Sequence, residues 1–410
     1  MKEFEHPARL LVQYMHRIYD RGLTTTSGGN LSVCDSDGTL WITPAGIDKG
    51  SLKPEDIVCV HPDGSIDGQH RPSSELPFHS MIYRTCPDIK AIIHAHPVAP
   101  VAFSMLRRSP RSDLVGSISR RRPKVSVAPY DIPGSQELGE KLSRAFLPDK
   151  DTVFLENHGV CVAGKDLFEA FDRFERIEFA SRLEIAGSKL GKLHPCTNDT
   201  PLTLVTEGKA PQQDAAQRIQ MIRMLRRCYR TGIFTATLGT CSLRLDGGSF
   251  LIPPDGSDCA YVAEDDLLCL DITGAPPAST AALHAKIYAA HPEIRAIVQA
   301  MPVSAMAFAV TATPFDTKTI PESYILLQQV PTLSMQGQTI VDCLGNMHPA
   351  VLVENECAIT VGETLLQAFD RMEVLECTAA SVLQAKELGQ IIHITPEEIE
   401  RIKIAFHLAD

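Results

Sequence analysis

An internal repeat constrains the fold of this chain more than any other feature of its sequence. Residues 71–103 align without a gap with residues 276–308, at a constant offset of 205 positions (276 − 71). Further along, residues 156–178 match residues 354–376 in the same order. Because self-similarity at a fixed offset marks a repeated structural unit, we interpret the chain as the duplication and fusion of one domain.

The 410 residues suit two domains of about 200 residues each, a usual size for one hydrophobic core. We predict a first domain at residues 1–200, a polar linker at 201–214 and a second domain at 215–410. Within each half, strand and helix periodicities alternate: IKAIIHAHP predicts a buried strand, and DLFEAFDRFERIE predicts a long helix. This alternation predicts an α/β layered fold with helices covering a central sheet.

Composition and charge argue against several classes of function. The net charge is −11, from 39 basic and 50 acidic residues, whereas a nucleic-acid-binding protein carries a basic surface. Six arginines between residues 107 and 122 form a local basic loop, which is either solvated or attracts an anionic substrate. The amino-terminal segment lacks the apolar core of a signal peptide, and no stretch reaches the ~18 apolar residues of a membrane span. We therefore expect a cytoplasmic protein that binds neither nucleic acid nor membranes.

His94 and His96 lie two positions apart in the predicted buried strand. Side chains at this spacing point to the same side of a strand, so both imidazoles can bind one metal ion. His158, in the turn ENHG, is a candidate third ligand, and Glu75 is a candidate fourth ligand or acid/base group. Such a set suits a catalytic Zn²⁺ or a related ion. The alternative is that each histidine is an ordinary core or surface residue, although burying two imidazoles requires partners.

Two polar segments are candidates for binding an anion such as phosphate. Ser73 and Ser74 precede a predicted helix, and hydroxyl groups at a helix N-terminus can bind phosphate together with the backbone N–H groups. In TSGGN (26–30), glycines let the backbone approach an anion, and Asn30 can donate a hydrogen bond. A simple helix N-cap and a plain turn are the structural alternatives.

Taken together, TSGGN, ITPAG, PSSE, HAH and NHG, in this order, resemble the class II aldolase/adducin family, with fuculose-phosphate aldolase as the comparison. The resemblance implies two tandem α/β/α sandwich domains, each with a central, mainly antiparallel sheet. It implies a divalent ion held by His94, His96 and His158. Zn²⁺ is the first candidate for this ion, and Mn²⁺, Co²⁺ and Fe²⁺ are the alternatives. Glu75 would be the acid/base residue and could also contact the metal. The phosphate-binding residues that it implies are Gly29, Asn30, Thr43, Gly46, Ser73 and Ser74.

The second copy departs from this pattern at every metal-site position. The residues that stand there in place of Glu75 and the three histidines are Thr280, Gln299, Met301 and Glu356. We therefore expect one catalytic domain, the first, and a degenerate second domain without metal ligands. Aldolases of the family use a tyrosine from a neighbouring subunit as a proton donor. The first copy has Ser119 at that place and the second has Tyr324, so Tyr324 is a candidate general acid for the first-copy site, or else a packing residue.

The leading interpretation is a metal-dependent aldolase that cleaves or forms a carbon–carbon bond in a phosphorylated ketose through a metal-stabilised enediolate. The alternatives are a decarboxylase or epimerase of a related sugar acid or sugar phosphate, and a non-catalytic binding or scaffold protein of the adducin type. The expected partners are a small sugar phosphate or sugar acid and further copies of the chain. The expected assembly is a dimer of two-domain chains or a larger homo-oligomer.

Overall fold

The computed structural model describes residues 6–121, 123–198, 200–209, 215–335, 337–345 and 348–408. The end of the predicted linker, residues 210–214, and Arg122 of the basic loop lie outside the described residues. The chain divides into two compact units, Met1–Arg111 with Arg122–Arg182, and Ser112–Arg121 with Leu183–Asp410. The domain limits at residues 200 and 215 stay a prediction.

The first repeat forms one eight-stranded sheet with helices. Its helices are α1 (Pro7–Asp20), α2 (Leu76–Thr85), α3 (Val98–Met105), α4 (Gly116–Ser119), α5 (Gln136–Phe146) and α6 (Leu167–Leu190), with a 3-10 turn at Pro54–Asp56. Its strands are β1 (Asn30–Cys34), β2 (Leu40–Ile42), β3 (Val58–Val60), β4 (Ile66–Asp67), β5 (Ala91–Ala95), β6 (Val125–Ala128), β7 (Thr152–Leu155) and β8 (Gly159–Gly164). The strand order is β4-β3-β2-β1-β5-β8-β7-β6, and every pair is antiparallel except β6–β7.

The second repeat builds a seven-stranded sheet of the same kind. Its helices are α7 (Ala215–Arg230), α8 (Thr280–Ala290), α9 (Val303–Thr311), α10 (Pro321–Leu327), α11 (Gly337–Cys343), α12 (Leu365–Leu388) and α13 (Pro396–Phe406), with a 3-10 turn at Glu264–Asp266. Its strands are β9 (Thr240–Arg244), β10 (Ser249–Ile252), β11 (Leu268–Asp271), β12 (Ala296–Ala300), β13 (Thr332–Leu333), β14 (Ala350–Val353) and β15 (Cys357–Gly362). The order is β11-β10-β9-β12-β15-β14-β13, with β13–β14 the one parallel pair among them.

The amphipathic pattern of α5 explains how helices cover the first sheet. Ser135 caps the helix, since its hydroxyl accepts a hydrogen bond from the Leu138 amide. Leu138, Leu142 and Phe146 recur every four residues, so they share one helix face. That face is buried in one apolar cluster with Phe78 of α2 and with residues of the central strands. The prediction of two tandem α/β domains, each with a mainly antiparallel sheet, is confirmed.

Strand register shows that the two repeats correspond residue by residue at the sheet centre. Asn30 of β1 lies opposite His94 of β5, and Thr240 of β9 lies opposite Gln299 of β12 in the same way. The correspondence drawn from sequence offsets therefore holds at the backbone. Among the described residues, no helix has both the length and the apolar composition that a membrane span requires.

Candidate metal centre and substrate pocket

Strand β5 holds His94 at the centre of the first sheet. All five of its residues are buried, and it pairs with β1 on one side and β8 on the other. His94 is completely buried, and its Nδ1 lies 3.1 Å from the carbonyl oxygen of Val160. Because a carbonyl only accepts, Nδ1 carries the proton, and Nε2 presents a lone pair to the site.

Three histidines converge on one point. His96 follows the last residue of β5, and His158 lies in the turn between β7 and β8, directly after Asn157 with its positive φ of 55°. One ring nitrogen from each of His94, His96 and His158 lies within 4.8 Å of the other two. The Nε2 atoms of His94 and His96 are 3.0 Å apart. Two ring nitrogens this close share either a proton or a cation.

Two glycines allow the neighbouring backbone to approach these histidines. Gly29 has a φ of +69°, and a Cβ there would lie 2.7 Å from the carbonyl oxygen of His94. A Cβ on Gly159 would lie 2.6 Å from the ring of His96. Any larger residue at these positions would displace the strand that carries the histidines, so the glycines are required for this close approach.

The environment keeps the three imidazoles neutral. Burial lowers the pKa of His94, His96 and His158 below the ordinary value, most strongly for the fully buried His94. A neutral imidazole has a lone pair available for a metal ion, whereas a protonated one does not. The site is therefore prepared for a cation at neutral pH.

Glu75 completes the group of four. It is the N-cap residue of α2 and only 6 % exposed. Its Oε2 lies 3.3 Å from His94 Nε2, and its Oε1 lies 3.6 Å from His158 Nε2. Oε1 is buried and has no hydrogen-bond partner among the described residues. A buried carboxylate oxygen without a donor is costly, and a divalent ion among three neutral nitrogens would compensate it, so the residues present fit such an ion.

A chain of buried hydrogen bonds fixes the orientation of Glu75. The Asn30 amide nitrogen donates to Glu75 Oε2 at 2.6 Å, and the Asn30 carbonyl oxygen accepts from His79 Nε2. Burial lowers the pKa of His79, so its Nδ1 accepts from the Ser32 hydroxyl, which in turn lies 2.7 Å from the Tyr83 hydroxyl. Such second-sphere partners orient the groups that contact a metal or substrate.

A pocket of about 220 Å³ opens beside the histidines. One lining residue is unexpected: Lys49 is only 2 % exposed, and its ammonium donates to the Pro44 carbonyl oxygen at 2.8 Å. Among the described residues, the lining consists of Ser27, Gly28, Gly29, Asn30, Pro44, Ala45, Gly46, Lys49, Ser73, Ser74, Glu75, His96, Pro133 and His158.

Most of the site residues predicted from the sequence line this pocket, and three do not. His94 is completely buried and is not among the lining residues, although its ring contacts Glu75. Thr43 is fully buried outside the lining, where its hydroxyl accepts from the Leu31 amide. Tyr324 lies on α10 in the second unit, where it lines a different pocket.

Lys49 and the supporting network were not predicted from the sequence. A signal existed for the network, because His79 and Tyr83 recur as His284 and Tyr288 in the second repeat. That network is repeated there: the Ser242 hydroxyl lies 2.7 Å from Tyr288 Oη and 2.8 Å from His284 Nδ1. The described part of the second repeat contains no group of three potential metal ligands.

The family model described as "Class II Aldolase and Adducin N-terminal domain" matches residues 9–185 and again residues 219–383. The chain belongs to this family. The two matches fall on the two repeats, which confirms that the chain carries the family domain in tandem.

Known relatives of this family domain match a length of about one repeat. A 3-oxo-tetronate 4-phosphate decarboxylase of Haemophilus influenzae is 35% identical over 178 residues, 42% of this chain and 84% of the relative. A 5-deoxy-D-ribulose 1-phosphate aldolase of Bacillus thuringiensis is 32% identical over 44% of this chain and 85% of the relative. An L-fuculose phosphate aldolase of Methanococcus maripaludis is 33% identical over 42% of this chain and 92% of the relative.

The His94, His96 and His158 group predicts about one metal ion per chain in the purified protein. We expect elemental analysis to find this ion in the wild type and to find it lost in His94→Ala/His96→Ala. The matched control is Gln299→Ala/Met301→Ala at the corresponding positions of the second repeat, which should retain the metal. Equal metal loss in both variants would contradict the assignment, as would a wild type that stays metal-free after incubation with Zn²⁺, Mn²⁺, Co²⁺ and Fe²⁺.

Proposed function

We propose that the protein is a metal-dependent aldolase that breaks or forms a carbon–carbon bond in a phosphorylated ketose at the first-repeat site. The observation that carries the proposal is the convergence of three neutral imidazoles and the Glu75 carboxylate beside a pocket whose lining includes three serines and three glycines. A divalent ion held by His94, His96 and His158 would polarise a substrate carbonyl and stabilise negative charge on its oxygen.

In this proposal Glu75 moves the proton. Its Oε2 is held by the Asn30 amide, so Oε1 is the oxygen available to accept or return a proton. Both polar groups of the Asn30 side chain are engaged inside the protein, which favours an orienting role for that side chain over direct phosphate binding. The phosphate would lie against Gly29, Gly46, Ser73 and Ser74.

Decarboxylation is the second candidate reaction, on two observations. One relative is a 3-oxo-tetronate 4-phosphate decarboxylase. The first repeat also has Ser119 where the aldolase pattern has a tyrosine. Both reactions break a bond next to a carbonyl whose oxygen gains negative charge, so one site could serve either.

The two candidates differ in their products. We expect the protein to release dihydroxyacetone phosphate from a ketose 1-phosphate, with L-fuculose 1-phosphate and 5-deoxy-D-ribulose 1-phosphate as first substrates. Glu75→Gln should lower kcat by about 10²–10⁴-fold because the proton acceptor is lost. The matched control, Thr280→Val in the second repeat, should keep the wild-type kcat. Release of CO₂ from 3-oxo-tetronate 4-phosphate without ketose cleavage would replace the aldolase proposal by the decarboxylase.

Lys49 would give the pocket a positive charge that depends on pH. Burial lowers the pKa of its ammonium to about 8. We expect the KM of a phosphorylated substrate to rise about tenfold per pH unit above pH 8, because the neutral amine no longer attracts phosphate. Lys49→Met should show a high KM at every pH. Lys53→Met, which changes an exposed lysine nearby, should keep the wild-type profile.

Unfolding would not explain this rise in KM. The pKa of Lys49 is lower in the folded than in the unfolded chain, so folding favours its neutral form. Its contribution to stability therefore improves as the pH rises from about 8 to about 10.5, opposite in direction to the loss of substrate affinity. A wild-type KM profile in Lys49→Met would remove Lys49 from the phosphate subsite.

We propose further that Tyr324 is the general acid for a first-repeat site. Residues 112–121 belong to the second unit, where the Gly116 amide donates at 2.8 Å to the carbonyl oxygen of Asn355. Asn355 lies in the turn that corresponds to the turn of His158. Residues 317–326, which include Tyr324, correspond to residues 112–121 in the repeat. They would therefore contact the corresponding turn of a first repeat, the turn that carries His158.

Mixing of inactive chains tests whether Tyr324 acts across chains. Tyr324→Phe and His94→Ala/His96→Ala should each lose most activity, and Tyr261→Phe should keep it. In a dimer, refolding the two inactive chains together should restore about a quarter of the activity, because half of the dimers are mixed and each has one intact site. If each variant alone is inactive and the refolded mixture recovers no activity, the tyrosine acts on the site of its own chain. Wild-type kcat in Tyr324→Phe would remove it from the mechanism.

A further inference from the structure

Residues 112–121 are held by the second unit at the place that corresponds to the metal site. The Asn355 side-chain amide donates to the Leu114 carbonyl oxygen at 2.9 Å, in addition to the bond from Gly116 to the Asn355 carbonyl. Asn355 has a φ of 55°, like Asn157 in the first repeat, so the two turns share one backbone conformation. The turn of the second repeat that corresponds to the His158 turn therefore binds a peptide segment.

Glu356, which replaces His158, forms a two-pronged ion pair with Arg120. The two guanidinium nitrogens Nη1 and Nη2 donate to Oε1 and Oε2 at 2.7 and 2.9 Å. The side chains of Arg120 and Glu356 are 11% and 5% exposed. The pair with Glu356 raises the pKa of Arg120, so the charge is permanent. Gly116 fits against this pair without a side chain, because a Cβ there would collide with the Glu356 carboxylate.

The other two lost histidine positions also have new partners. Met301, which replaces His96, accepts a hydrogen bond from the Ser117 hydroxyl at its Sδ, at 3.1 Å. Gln299, which replaces His94, has its Oε1 3.3 Å from Nε2 of His284, so it extends the retained network of that repeat. Two of the three positions therefore contact the same segment, 112–121.

We propose that the second repeat's degenerate site is a socket for residues 112–121, in which the Arg120 guanidinium supplies the positive charge that a metal ion would supply in the first repeat. The single positive charge of the Arg120 guanidinium is balanced by one negative charge, which accounts for a carboxylate at position 356 instead of a neutral imidazole. The planar guanidinium binds both oxygens of Glu356 at once, a geometry that lysine cannot reproduce. This socket does not depend on the reaction that the first repeat performs.

Hydrogen exchange of the peptide 112–121, followed by mass spectrometry, tests the socket in the full chain. We expect exchange to become about tenfold faster or more in Glu356→Gln and in Arg120→Gln, since either change leaves one member of a buried ion pair unpaired. Arg120→Lys should be intermediate. The charge-exchanged variant Arg120→Glu/Glu356→Arg should recover part of the protection.

Two controls keep this experiment decisive. Glu354→Gln changes an exposed carboxylate of the same turn and should leave the exchange of residues 112–121 as in the wild type. The metal content of the first repeat should stay the same in every variant, which separates opening of the socket from unfolding of the chain. Equal exchange of the segment in Glu356→Gln, Arg120→Gln and Glu354→Gln would overturn the proposal.

Discussion

The antiparallel pairing of β1 with β5 is the constraint on which the first-repeat site depends. It places Asn30 directly opposite His94, so that the Asn30 amide can hold Glu75 while the ring of His94 faces the same carboxylate. A slip of this register by one residue would turn the side chains of the strand to the other face of the sheet. That slip would turn the His94 imidazole away from Glu75 and His158, so the polar site requires this register.

Comparison of the two repeats separates residues that maintain the fold from residues that carry chemistry. The histidine, serine and tyrosine that form a buried network in the first repeat are kept in the second as His284, Ser242 and Tyr288. Their polar groups are buried in both repeats, so replacing any one of them would leave a partner unsatisfied. The positions that correspond to the first-repeat histidines differ instead, and two of them, Met301 and Glu356, contact residues 112–121.

The sequence was sufficient for the repeat and for the strands around His94, because these follow from local periodicity and residue spacing. The approach of His158 to His94 and His96 was expected only from the resemblance to the family, and the structure brings the three together. Lys49 could not be predicted as a pocket residue, because its burial depends on how the loop after β2 folds over the pocket. The run of arginines predicts a loop that is solvated or attracts an anionic substrate, yet Arg120 is buried against Glu356, 236 positions away. A contact over such a separation leaves no periodic trace in one sequence, so only the tertiary structure could reveal it.

Electrostatics explain why one fold can hold two such different sites. With a divalent ion bound, three neutral imidazoles and one carboxylate leave a net positive charge in the first repeat, which favours an anionic substrate. In the second repeat, a guanidinium and a carboxylate cancel each other. A buried pair of this kind is tolerated only when both members keep their hydrogen bonds, so it favours a closed contact over an open pocket. The exchange of His158 for Glu356 therefore changes the site from one that can attract a ligand to one that holds the chain's own segment.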